Sequence, residues 1–194
     1  MNIVSPTRAF WLVVFVLFGS SLFFTVEVER QRRSWSAHAG SLQPGATVEL
    51  IEVIDGDEIA VRAAEGSFIV RVLGIKCFDA KMNDPAVSRH GVQCVQSLTE
   101  LITRKALTVE FDASAVDERG RTLAYLSAAG IDVGLALVEQ GHAAVYTEFG
   151  FSRESAYLRA QREARRKRRG MWRDPTARRR LDALEREWSR RRAR

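Results

Sequence analysis

Val53 to Lys81 reads V-I-D-G-D-E-I-A-V-R-A-A-E-G-S-F-I-V-R-V-L-G-I-K-C-F-D-A-K, and this stretch decides the fold. Two turn signals, Asp55-Gly56-Asp57 and Glu65-Gly66, separate apolar runs, which predicts strand, acidic hairpin turn, strand, turn and strand. An irregular loop follows from Cys77 to Asp84. Such a meander carries Asp55 and Asp57 on its first turn, Arg71 in its third strand and Asp79 in the loop beyond it. Acids and a cation are thereby brought to one end of a small sheet.

Working outward, the first strand spans Thr47 to Ile54, with a bulge where the apolar pattern shifts between Leu50 and Val53. Ile59 to Arg62 and Ser67 to Ile75 complete the meander. Val92, Val95, Leu98, Leu101 and Ile102 recur at helical spacing within Val87 to Thr103. Leu107 to Phe111 alternates as a fourth strand, and the charged turn Asp117 to Arg121 leads into a fifth, Thr122 to Ser127. A short helix over Val133 to Gln140 ends at Gly141, Ala143 to Tyr146 is extended or irregular, and Ser152 to Arg168 is helical up to Gly170. Five short strands with a helix between the third and fourth have the order of an OB-type Greek-key barrel, an α+β chain with about three helices in this region.

The chain has 194 residues, 46% of them hydrophobic, enough for one packed domain with extensions. Its net charge of +6 is unevenly placed, because residues 153–194 carry 17 Lys and Arg against 6 Asp and Glu. A basic end behind a mildly acidic body favours a polyanionic partner: nucleic acid, anionic lipid or acidic polysaccharide. Ala9 to Val26 is an uncharged run of 18 residues, read as a transmembrane signal anchor or an export signal. Ala37-His38-Ala39 resembles a cleavage site but lies far beyond the apolar run, which favours an uncleaved anchor. The expected organisation is therefore 1–26 anchor or signal peptide, 27–46 linker, 47–173 folded domain and 174–194 basic helical tail, with the domain facing the periplasm or exported into the cell envelope. Cys77 and Cys94 match no zinc spacing; they form a disulfide or stand as two small buried thiols. His38, His90 and His142 are isolated, and no Ser/His/Asp or Cys/His arrangement is supported.

The segments V-I-D-G-D at 53–57, V-R-V-L-G-I at 70–75, V-E-F-D at 109–112, R-G-R-T-L-A-Y at 119–125, A-L-V-E-Q-G at 136–141 and G-M-W at 170–172 together resemble the staphylococcal nuclease (thermonuclease) family, from about Val48 to Trp172. The resemblance implies an SNase-like OB-fold barrel and calcium-dependent phosphodiester hydrolysis. It places Asp57 as a metal ligand with Asp55 beside it and the Cys77 carbonyl as another, Arg71 and Arg121 as the phosphate-gripping pair, and Asp79 as general base. Arginines and a hard cation neutralise phosphoryl oxygens while a carboxylate activates water. Each arginine also has a purely structural reading, Arg71 paired with Asp57 and Arg121 with Asp117.

Three departures bear on that chemistry. Lys76 stands where the family has a second calcium-binding aspartate, Phe78 replaces a proline, and Asp79 is one methylene shorter than the family's glutamate. Shortening moves the base by about 1.5 Å, and misplacement of ~1 Å can cost about 10²-fold in rate. The Lys76 ammonium either sits with Asp55 and Asp57 in place of the metal, or swings to solvent and leaves a poorer site on Asp57, Asp79, the Cys77 carbonyl and water.

The basic segment from Arg178 to Arg194 has Leu181, Leu184 and Trp188 at helical spacing. It reads as a polyanion-binding helix, as a helix docking on anionic lipid, or as a solvated helix whose apolar residues pack on the domain. Two functions follow. One is a weakened thermonuclease-like hydrolase acting on nucleic acid in the envelope. The other is a non-catalytic, polyanion-binding OB module, for which the resemblance allows an accessory role in exopolysaccharide (succinoglycan-type) synthesis.

Overall fold

β1 (Thr47–Asp55) begins a sheet that curls back on itself. In this computed structural model the described residues are 10–11, 14–18, 20–21, 23, 42–112, 116–117 and 121–193. β1 pairs antiparallel with β2 (Glu58–Ala63), and β2 pairs with β3 (Gly66–Val72), so the hairpins form at the expected acidic and Glu65-Gly66 turns. The register of β1 slips between Leu50 and Glu52 and again between Val53 and Asp55, which bends the strand where its apolar pattern shifts.

After β3 the chain departs from expectation. The third strand does not run on to Ile75: it stops at Val72, turns through Gly74, and Ile75–Lys76 forms a separate β4. Gly74 has φ +80° and abuts the Phe151 ring, so a side chain there would be strained and would clash. The turn redirects β4 to pair with β8 (Ala144–Val145), with Lys76 opposite Ala144. The extended stretch near Ala143 thus has a defined partner.

α1 (Pro85–Ile102) starts earlier than its apolar spacing suggests, because Asp84 caps it by accepting from the Ala86 N–H and Pro85 suits the first turn. β5 (Leu107–Glu110), β6 (Thr122–Ala128) and the short β7 (Ile131–Asp132) follow. β5 pairs with β1 and β6, and β6 runs parallel to β3, with Arg71 opposite Leu123. That pairing closes the five-stranded barrel β1-β2-β3-β6-β5. Ile59, Val61, Phe68, Val70, Leu107 and Leu126 fill it, and Leu98 and Ile102 of α1 cap one end.

α2 (Val133–Gln140) is capped by Asp132, and α3 (Glu154–Arg166) packs on it with Tyr157 donating to Asp132 Oδ1 at 2.7 Å. A 3-10 turn, Gly170–Arg173, leads to α4 (Pro175–Arg192). α4 is held to the body by its apolar stripe: Ala177, Leu181 and Trp188 are buried in a second cluster with Phe78, Val87, Met171 and Trp172. Phe78, the residue in place of the expected proline, therefore fixes its loop by burial in this cluster. Cys77 and Cys94 form a disulfide that ties the same loop to α1.

The proposed anchor, 1–26, and linker, 27–46, lie largely outside the described residues. The described residues between 10 and 23 are helical, with Phe10, Phe15, Phe18 and Phe23 exposed. Among the described residues no helix is long and apolar enough to cross a membrane.

Candidate functional site

The acidic turn sits at one end of the barrel, where β1, β2 and β3 meet β4. Asp57 is only 2% exposed, and its backbone carbonyl accepts from the Val72 N–H at 2.9 Å and from Arg71 Nη1 at 3.2 Å. Its carboxylate is fully engaged. Oδ1 makes an ion pair with Arg71. Oδ2 takes the Cys77 N–H at 2.9 Å and lies 3.2 Å from the Lys76 ammonium. Burial works against the charge of Asp57, but Arg71, Lys76 and the two hydrogen bonds more than offset it, so its carboxyl is held below the usual aspartate value.

Arg71 is itself buried, and its Nη2 donates to the Ile75 carbonyl at 3.1 Å. Its guanidinium thus stitches the first turn to the start of β4. Asp55, one residue before the turn glycine, accepts from the Gly56 N–H at 2.7 Å. Burial pushes the Asp55 carboxyl up, helped by the charges of Asp57 and Asp79, while Gly56 and Lys76 oppose the shift.

Arg121 enters from the start of β6 and is likewise clamped. Its Nε donates to Asp117 Oδ2 at 2.8 Å, and its Nη1 donates to Glu58 Oε2 at 2.6 Å. Glu58 is the register partner of Arg71, so the two arginines flank it on neighbouring strands. Glu58 is a site residue that sequence reasoning missed. The signal was its place directly after the acidic turn, where the alternation of β2 aims it at the β3–β6 seam.

Asp79 lies on the exposed loop after β4, its Oδ1 accepting from the Lys81 N–H at 2.7 Å. This loop crosses α1 so closely that a Cβ on Gly91 would come within 2.6 Å of Asp79 backbone carbon. The glycine therefore lets the loop that carries Asp79 lie directly on α1. Below it, the disulfide holds Cys77 so that its N–H points at Asp57.

Asp55, Asp57, Arg71 and Lys76 are thus assembled around the turn, Arg121 joins them through Glu58, and Asp79 stays on the exposed side, its charge felt at Asp55. Each arginine is paired with an acid, Arg71 with Asp57 and Arg121 with Asp117 and Glu58. Of the two Lys76 readings, the ion pair with Asp57 is the one observed, with the side chain still 40% exposed.

A calcium ion takes six to eight oxygen ligands. At this turn both Asp57 oxygens face donors, one Asp55 oxygen faces a backbone N–H, and an ammonium stands beside them. These residues do not fit calcium. Among the described residues no three His, Cys, Asp or Glu side chains are arranged to hold a metal ion.

Comparison with known proteins is consistent with this architecture. A family described as "Staphylococcal nuclease homologue" matches residues 69–174. Protein ParB of Escherichia coli is 33% identical over 138 residues, covering 66% of this chain and 73% of that protein. Micrococcal nuclease of Shigella flexneri is 30% identical over 138 residues, covering 66% of this chain and 75% of its own length.

Proposed function

The chain belongs to the staphylococcal nuclease family, and we propose that it binds the phosphodiester backbone of nucleic acid without calcium, at the rim formed by Lys76 and Arg121. The observation that carries this reading is the saturation of Asp57 by Arg71, Lys76 and the Cys77 N–H. A single ammonium on the site's exposed side stands where calcium would need carboxylate oxygens, and the half-exposed Lys76 is the cation there that can turn to a phosphate.

In this reading Arg71 positions the turn by holding Asp57, and Arg121 meets the phosphate once Glu58 releases one edge of its guanidinium. Asp79 is the base that remains for hydrolysis. Its short reach and the absence of a second carboxylate at position 76 keep cleavage weak. The family role of calcium belongs to a variant in which position 76 supplies an oxygen.

The apolar, exposed side chains of the N-terminal helical residues support an envelope anchor, with the barrel exported beside the membrane. The domain of this reading spans 47–173, extended by α4.

The test uses the full chain in nonionic detergent, with single-stranded DNA and RNA in calcium or in chelator. Wild type is expected to bind equally in both and to cut little or not at all. Lys76→Asp is expected to gain calcium-dependent cutting. Calcium-dependent cutting by wild type would overturn the calcium-free reading. Absence of any nucleic-acid binding by the folded chain would move the assignment to a different envelope polyanion, including the accessory role in exopolysaccharide synthesis.

A further inference from the structure

α3 and α4 lie antiparallel, and the side chains that meet across them fix the register: Glu154 with Arg192, Gln161 with Glu185, and Arg165 with both Asp182 and Glu185. Each helix turns its apolar side to the body of the protein, α3 through Tyr157 and Ala164, α4 through Leu181 and Trp188. Between them a cleft of about 540 Å³ is lined by Val145, Leu158, Gln161, Arg162, Glu185 and Ser189, among others. α4 lies beyond the residues that the family matches, so one wall of this cleft comes from outside that match.

At 3.6 residues per turn, Arg159 and Arg162 fall within about 60° of one another on the side of α3 away from Tyr157 and Ala164. Arg179, Arg186 and Arg190 fall within about 40° of one another on α4, opposite Leu181 and Trp188. Because the helices are antiparallel, with the cross-helix pairs between them and the body behind both, these two outer sides face the same way. The arginines therefore stand on the two lips of the cleft, with Arg162 nearly level with Arg186 across its mouth. All five are exposed. Among the described residues no carboxylate pairs with any of them, and Arg179 reaches only the Thr176 hydroxyl, at 3.3 Å. The neighbouring acids are engaged elsewhere: Glu163 with Arg166 and Lys167, Glu154 with Arg192, Asp182 and Glu185 with Arg165, and Glu187 with Arg191. The lips thus hold a double row of cations along about 16 Å, the rise from Arg179 to Arg190.

We propose that the cleft between α3 and α4 is a docking trough for the phosphate backbone of double-stranded nucleic acid, separate from the Lys76 site and independent of what that site binds. Arginine presents a flat fork of donors that suits phosphate oxygens. At about 3.4 Å per phosphate along one strand of a duplex, about 16 Å of lip spans roughly five phosphates. None of the exposed large apolar side chains lies on α3 or α4, so the trough offers no ring on which the bases of a single strand could stack. An anionic membrane is a poorer occupant as well, because a helix lying in a lipid interface inserts an apolar face, and both helices have buried theirs.

The test measures binding of a DNA duplex of about 20 base pairs to the full chain in nonionic detergent, with chelator, across a salt series. The double variant Arg162→Gln, Arg186→Gln removes one cation from each lip. It is expected to bind about tenfold more weakly, with a log–log salt slope smaller by about 2, as for two lost phosphate contacts on a duplex. Arg104→Gln, Lys105→Gln removes the same charge from the exposed turn after α1 and is expected to bind like wild type. Unchanged affinity and slope in the lip variant would overturn the proposal. So would an equal loss in the control pair, which would make the effect one of net charge alone. A single strand of the same length should lose less affinity in the lip variant than the duplex does, and an equal or larger loss would overturn the choice of duplex. Loss of binding to phosphatidylglycerol in mixed micelles, with duplex affinity intact, would overturn it in favour of a membrane.

Discussion

The Lys76 ammonium lies 3.2 Å from Asp57 Oδ2, on the oxygen that also accepts the Cys77 N–H. A cation carried on the chain thus neutralises the one buried carboxylate of the acidic turn together with Arg71. Replacing Lys76 by Asp exchanges a positive for a negative charge there. Lys76→Asp should therefore be less stable than wild type in chelator and should recover in calcium, by about 2.7 kcal/mol when calcium is a hundredfold above its dissociation constant. Thermal unfolding with and without calcium checks this, with no calcium shift expected for wild type.

Arg71 should prove more important to folding than to ligand contact. Removing it leaves Lys76 as the cation beside the buried Asp57 carboxylate and takes one hydrogen bond each from the carbonyls of Asp57 and Ile75. Breaking a buried ion pair from one side costs about 3–5 kcal/mol. Denaturant titration of Arg71→Ala should show a loss of this order. A midpoint equal to that of wild type would remove the structural role assigned to Arg71.

Glu58 competes with any incoming phosphate for Arg121, its Oε2 lying 2.6 Å from Nη1. Glu58→Gln keeps the shape and removes the charge. Affinity for a short oligonucleotide should rise by on the order of tenfold, equivalent to about 1.4 kcal/mol. Fluorescence anisotropy in chelator measures it, and an unchanged affinity would mean that phosphate does not approach Arg121.

The pH dependence of stability should carry the mark of Asp57. Its carboxyl ionises below the ordinary 3.8 in the folded protein, so it contributes stability that is fully present above pH 3.8. That contribution is lost as the pH falls through the lower folded value. Carbon-13 NMR of the side-chain carboxyls should show Asp57 still ionised at pH 3.8, while Asp55, pushed up by burial, already binds a proton above that pH. The reverse order would contradict the charge arrangement around the turn.

The disulfide should stabilise the loop that presents Lys76. Cys77 and Cys94 are 17 residues apart, and closing a loop of that size contributes about 3 kcal/mol. A thiol reductant should lower the unfolding midpoint of wild type accordingly. Cys94→Ser should start from the lowered value and show no response to the reductant.

Much of the barrel was legible because local chemistry and tertiary pairing agree there. The turns Asp55-Gly56-Asp57 and Glu65-Gly66 leave few ways to arrange three alternating strands, and β5 and β6 follow the same alternation. The break at Gly74 was not legible, since Val72 to Ile75 is apolar throughout and nothing local announces that Phe151 will pack against the glycine. Glu58 was missed for a related reason. Its partner Arg121 is 63 residues away, and only closure of β3 on β6 brings the two together.

The sequence by itself determined the order of the five barrel strands and the helices among them, the acidic turn, the substitution of lysine at position 76 and the concentration of arginine near the C-terminus, because each is a matter of residue type and spacing. Only the tertiary structure decided where those charges act. It set Lys76 against Asp57, closed the cysteine pair and turned the apolar side of α4 inward so that three arginines face outward. Each of these outcomes rests on long-range packing, in which the burial of one group fixes which partner remains within reach of another, and no local pattern in the chain encodes that choice.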